Sequence, residues 1–153
     1  MEAAWEDLLQ MLSRRDLSAA EAQQALVLKG HAKTNALRAV RRARRLGLLD
    51  DTRVAQSVVD GGAQGVRHGA LRIAADLSRR GVDERLARQA LSGLDDAARC
   101  KEALSAYLAR RGRPEGQREL RRLLSFLVRQ GYTEESVRTA LAGEGIDLPD
   151  GAA

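Results

Sequence analysis

Three stretches decide the fold: LVLKGHAKTNALRAV at Leu26–Val40, LSRRGVDERLARQAL at Leu77–Leu91 and LVRQGYTEESVRTAL at Leu127–Leu141. They align on Gly30, Gly81 and Gly131, which lie 51 and 50 residues apart. Four positions before each glycine stands a leucine (Leu26, Leu77, Leu127). Eight before stand Ala22, Ile73 and Leu123, and ten after stand Val40, Leu91 and Leu141. That spacing predicts a helix ending at a glycine, a tight turn, and a second helix whose apolar stripe folds back on the first. A left-handed glycine closes a helix at little steric cost, and Lys29, Arg80 and Arg129 complement the helix C-terminal dipole. Thr34, Asp83 and Thr133 are the expected N-caps of the second helices. Ser18 followed by Glu21 predicts a capping box at the start of the first helix of the first pair.

Working outward, each pair is preceded by a further helical pattern. Its residues are Trp5, Leu8, Leu9 and Leu12; then Val54, Val58 and Val59; then Ala103, Leu104, Tyr107 and Leu108. The expected fold is therefore all-α: three tandem three-helix, helix-turn-helix-like repeats in an elongated, curved array. The boundaries are residues 1–49, 50–94 and 95–142, with 143–153 as a disordered tail. Gly61 to Gly69 is read as a loose loop within the second repeat, and Arg111–Gly116 as a loop within the third. Composition agrees, because aromatics make up only 3% of the 153 residues and helix formers dominate.

Composition also excludes functions. With 31% charged residues, the chain has no apolar run near the roughly 20 residues of a membrane span. The start Met1–Trp5 has no basic signal-like region, and one cysteine permits no internal disulfide. A cytoplasmic, monomeric protein is expected. For chemistry the inventory is thin. His31 and His68 have no companions at metal-ligand spacing, and half-buried packing is the reading for His31. Cys100 lacks a positioned base and reads as an inert thiol. Asp50–Asp51 and Asp95–Asp96 sit just before helices, where capping accounts for them. The Gly61–Gly65 segment lacks the Lys-Ser/Thr of a phosphate loop. No enzyme, cofactor or metal is expected.

The distribution of charge says more than the net +5. From Ala22 to Leu49 there are seven basic residues and no acid. Within Leu37–Leu46, Leu37, Val40 and Ala43 are placed inward. Arg38, Arg41, Arg42 and Arg45 then fall on the opposite face, with Arg44 flanking. For this face a polyanion or acidic-protein contact and a solvated surface both remain open. Arg67, Arg72, Arg79 and Arg80 in the second repeat, and Arg118, Arg121, Arg122 and Arg129 in the third, form weaker stripes for which solvation is the simpler reading. The second helices resemble DNA recognition helices, yet they offer few base-reading side chains, and Glu84, Glu134 and Glu135 would repel phosphates.

At this point the residues resemble a family. LSRRDLSAAEAQQALVLKG (Leu12–Gly30), RLGLLDDTRVAQSVV (Arg45–Val59), GALRIAADLSRRGVD (Gly69–Asp83) and RRLLSFLVRQGYTEESVRTAL (Arg121–Leu141) resemble, in order, four motifs of the RecX proteins, regulators of the RecA recombinase. Val54 stands where Phe is usual, His31 where an aromatic is, and Ala70 where Pro is frequent. The resemblance implies a modulator, not an enzyme. It would bind in the groove of the RecA–DNA filament and limit RecA's ATPase, strand exchange and co-protease activity. Its setting would be DNA repair, recombination and the SOS response. The expected contact residues are Arg41, Arg42, Arg44, Arg45, Arg67, Arg72, Arg79, Arg80, Arg121 and Arg122. Of these, Arg41 to Arg45 rest on charge spacing and Arg67 to Arg80 on the motif match. The expected partner is the RecA filament, with weak non-specific DNA contact and no membrane. The alternative is a non-specific nucleic-acid-binding helical protein.

Overall fold

The computed structural model describes residues 1–61 and 67–149. The segment Gly62 to Gly65, read above as part of a loose loop, lies outside the described residues, as do 150–153 of the expected tail. Among the described residues all regular structure is helical. The helices are α1 (Glu2–Leu12), α2 (Ala19–Leu28), α3 (Lys33–Arg45), α4 (Asp51–Asp60), α5 (Ala70–Arg79), α6 (Glu84–Leu91), α7 (Asp96–Arg111), α8 (Gln117–Gln130) and α9 (Glu134–Gly143). Two compact units are distinguished: 1–58 with 76–92, and 59–75 with 93–153. Each is described by itself.

In the first unit, Leu8, Leu26, Val40 and Leu49 close a core with Trp5 and the short side chains Ala36, Ala39 and Ala43 of α3. Val54, Leu77 and Val82 are buried as well. The capping box at Ser18 forms as read. The Ser18 hydroxyl accepts from the Glu21 N–H at 3.0 Å, and the Glu21 carboxylate accepts from the Ser18 N–H at 2.9 Å. The Ser18 hydroxyl also donates to the carbonyl of Arg80, just after α5. Asp51, opening α4, accepts from the Ala19 N–H at 2.8 Å. The orphan amides of α2 are thus met partly by its own cap and partly by a helix far along the chain.

The second unit repeats this device with different side chains. Its core is Cys100, Leu104, Tyr107, Leu123, Leu127, Tyr132, Val137, Ala140 and Leu141. The Phe126 ring lies 5.1 Å from that of Tyr107. Asp96, opening α7, accepts from the Ala70 N–H at 2.7 Å and from the Thr133 N–H at 3.0 Å. The start of α5 meets the end of α8 through two main-chain hydrogen bonds. Gly69 N–H donates to the Gln130 carbonyl at 2.8 Å, and Leu71 N–H to the Gly131 carbonyl at 2.9 Å. Arg99 is buried and donates to the carbonyls of Val59 at 2.8 Å and His68 at 3.2 Å. It so satisfies a helix-end carbonyl and a loop carbonyl that α7 would otherwise cover. Gly143 closes α9, and Ile146 and Leu148 pack against the core, so the described part of the stretch expected to be disordered has fixed neighbours.

Two local expectations change. Asp83 and Thr133 cap α6 and α9 as read, accepting from Arg85 N–H and Ser136 N–H. Thr34 does not cap α3, which begins at Lys33 with Ala32 before it and no side-chain cap. The cap stands two residues after the glycine in all three turns, and in the first turn that position is Ala32 rather than a hydroxyl residue. The acidic pairs divide their labour. Asp50 and Asp95 cap their own helices, accepting from Thr52 N–H at 3.0 Å and Ala98 N–H at 2.9 Å. Asp51 and Asp96 reach other helices instead.

Candidate partner-binding surface

α3 presents the acid-free stretch as the alternation of its sequence requires. Ala36, Ala39, Val40 and Ala43 are buried, while Arg38, Arg41, Arg42, Arg44 and Arg45 are exposed. Three of these, Arg42, Arg44 and Arg45, lie in the last turn, where cations are favoured by the helix dipole. All five border one open depression of about 620 Å3 together with Met1, Glu2, Trp5 and Ala39. The Arg42 guanidinium lies over the Trp5 ring, 4.1 Å from its centroid, and 3.9 Å from the Glu2 carboxylate. Stacking on Trp fixes this cation and leaves its edge available for a phosphate or carboxylate. Arg44 also borders a second depression with Asp51, Asp83 and Arg85. The structure therefore brings Arg41, Arg42, Arg44 and Arg45 to one surface. Glu2 and Trp5 belong to that surface too, and nothing in their sequence positions pointed there.

The other arginines are placed differently. Arg80 is committed to structure. Its Nε and Nη2 each lie 3.0 Å from Glu21, and Nη2 donates to the Asp16 carbonyl at 3.1 Å. Arg79 pairs with Asp76 on its own helix. Arg67 lies 3.5 Å from Glu102, and Arg72 donates to the Arg129 carbonyl at 3.3 Å. Arg121 and Arg122 are exposed on α8, and Arg121 borders a groove of the second unit. The second-repeat arginines thus do not form a stripe comparable with that of α3.

Titratable groups away from this surface are structural. Burial works to raise the pKa of Glu21, but the Arg80 guanidinium and the Ser18 N–H outweigh it and hold the carboxyl below its usual range. Burial likewise opposes ionisation of Asp96, and the Thr133 and Ala70 N–H groups overcome it. Asp7 is held low by hydrogen bonds to Lys29 and His31, with His31 Nε2 at 2.6 Å, so His31 packs half-buried with a carboxylate partner. Burial pushes the Cys100 thiol up to about 11, which leaves it protonated and unreactive at neutral pH. Among the described residues no group of three or more His, Cys, Asp or Glu is placed to hold a metal ion. No described helix is long and apolar enough to cross a membrane.

Fold and surface together define an all-helical protein whose distinguishing feature is a concentrated arginine face. Comparison with known proteins makes the class specific. Residues 50–91 match the family described as RecX, second three-helix domain. The regulatory protein RecX of Chromohalobacter salexigens is 34% identical over 139 residues, covering 90% of each chain. That of Chlorobaculum tepidum is 28% identical over 136 residues, covering 89% of this chain and 84% of the other. A crystal structure of RecX from Lactobacillus salivarius has the same fold, with a TM-score of 0.78 over 93% of this chain and 94% of that one, at 17% identity. The chain belongs to the RecX family of regulatory proteins.

Proposed function

We propose that the chain is an inhibitory modulator of RecA. It binds in the groove of the RecA–DNA filament and limits ATPase, strand exchange and co-protease activity. The observation that carries this reading is the relationship to regulatory protein RecX over 90% of both chains. The arginine face of α3 supports it, since a filament of nucleic acid and protein offers phosphates and carboxylates to bidentate guanidinium groups. The three 50-residue repeats, a monomeric state and a cytoplasmic location belong to the same proposal. Contact made through several repeats would raise avidity without any single tight site.

The arginine face equally suits a second reading, non-specific binding of nucleic acid alone. The two part in the following titration. A filament regulator inhibits RecA's DNA-dependent ATPase at concentrations well below those that cover the DNA. A phosphate tracker instead shows a steep linear fall of log K with log salt on bare DNA. Absence of inhibition, together with tight salt-sensitive DNA binding, overturns the RecA reading.

The geometry also selects the mutations. Arg42 packs on Trp5, so its replacement would confound binding with stability. Arg41, Arg44 and Arg45 are exposed and make no ion pair among the described residues. Reversing these three to Glu leaves the far-UV spectrum essentially unchanged and lowers the melting point only by the helix-dipole contributions of Arg44 and Arg45 (about 0.3–1 kcal/mol each). It weakens filament binding by roughly tenfold or more, as expected for removal of a clustered charge. Unchanged binding would make this face an ordinary solvated surface.

A further inference from the structure

The second unit carries an apolar groove that the arginine face does not use. It is formed by Leu120, Leu124 and Val128 of α8, Val137 of α9, and Leu71 at the start of α5, and has a volume of about 840 Å3. That lies within the range of roughly 300–1,000 Å3 of clefts that receive ligand groups. Leu71 and Val128 are 60% and 66% exposed, unusual for large apolar side chains brought together on one groove. The lining charge is uneven. Glu134 is consumed by Arg138 at 2.6 Å, whereas Arg121 has no carboxylate partner among the described residues. Leu148 and Pro149, from the non-helical stretch after α9, border the groove, and Leu148 packs against the core of the unit.

From this we infer that the groove is a docking site for an acidic, amphipathic segment of a protein partner. Apolar side chains would seat between Leu71, Leu124 and Val128, and a carboxylate would meet Arg121. The inference rests on the reading of the chain as a protein-binding regulator. It adds a second contact, apolar rather than basic, in a different unit from the arginine face. Helix-in-groove recognition of this kind takes its affinity from apolar anchors and its selectivity from rim charge.

The test uses the full chain and a fluorescein-labelled helical peptide with leucines at i, i+3, i+4 and i+7 and glutamates between them. Fluorescence anisotropy should report saturable binding to the wild type. It should weaken at least tenfold with Val128→Glu, and severalfold with Arg121→Glu. Both positions are exposed, so circular dichroism should show unaltered folding. An analogue with lysines for glutamates should bind at least tenfold more weakly than the acidic peptide. Failure of the acidic peptide to bind, equal binding of the lysine analogue, or wild-type affinity in folded Val128→Glu each overturns the inference. The RecA ATPase titration fails or succeeds separately. Inhibition with no peptide binding sinks the groove alone, and peptide binding without inhibition sinks the RecA reading alone.

Discussion

Gly131→Ala should lower the stability of the second unit by roughly 3 kcal/mol, the sum of a left-handed backbone forced on an L residue (about 1–2) and overpacking (about 1–3). Gly131 has φ +89°, and a Cβ there would lie within 2.5 Å of the Arg72 amide nitrogen and 2.9 Å of its Cα. Both are main-chain neighbours at the start of α5, so no side-chain rotation relieves the clash. The same residue's carbonyl accepts the Leu71 N–H, so displacement also breaks that bond. Gly30→Ala is the internal control. It has φ +105° but nothing within 4 Å of the added carbon, so only the backbone cost of about 1–2 kcal/mol applies. Thermal melts followed by circular dichroism should show a loss of roughly 6–12 °C for Gly131→Ala and a clearly smaller loss for Gly30→Ala. Equal losses would mean that the close approach of α8 to α5 is not as described.

The second large effect belongs to Asp96. Its carboxylate accepts from the first amide of α5 and from the amide of the Thr133 cap of α9. Asp96→Ala leaves two half-buried donors to be met by water. The expected loss is about 2–3 kcal/mol, against about 1–2 for Asp51→Ala, which frees one. The same bonds set a pH dependence. Asp96 and Glu21 ionise more readily in the folded chain than in the unfolded one. Their contribution is therefore complete at neutral pH, above the ordinary carboxylate range. It is lost as pH falls through that range toward their depressed folded-state values. Midpoints of denaturant unfolding measured between neutral pH and the acid range should decline for the wild type. The decline should be shallower in Asp96→Ala, which has already lost one of the two groups. A parallel decline would remove Asp96 from this role.

Much of this was legible in one dimension, and the reasons it stopped are physical. The glycines at 30, 81 and 131 marked helix ends because a left-handed residue is a local requirement, set within a few positions of itself. The inward and outward faces of α3 followed from the helical period, and the capping box at Ser18 from a spacing of three. Asp51 and Asp96 were read only as acids at helix starts. Their actual partners, Ala19, Ala70 and Thr133, lie 26 to 37 residues away. Arg80 shows the same limit more sharply. As a charge in a sequence it joined the candidate contact residues, but Glu21, 59 positions earlier, holds its guanidinium at two points. The stacking of Arg42 on Trp5 and the groove of the second unit likewise depend on packing between helices. Of the expected contact residues, those of α3 share one exposed face, Arg121 and Arg122 are exposed on α8, and Arg80 is held by Glu21.

The central claim is that the chain recognises a filament rather than DNA. Its most direct test is an equilibrium binding isotherm. Labelled wild-type chain is titrated with preassembled RecA–DNA filament and, at the same salt, with the same DNA bare. The account predicts clearly tighter binding to the filament, with the difference persisting as salt is raised and binding to bare DNA fades. Equal affinity for the two, or tighter binding to bare DNA, would contradict it.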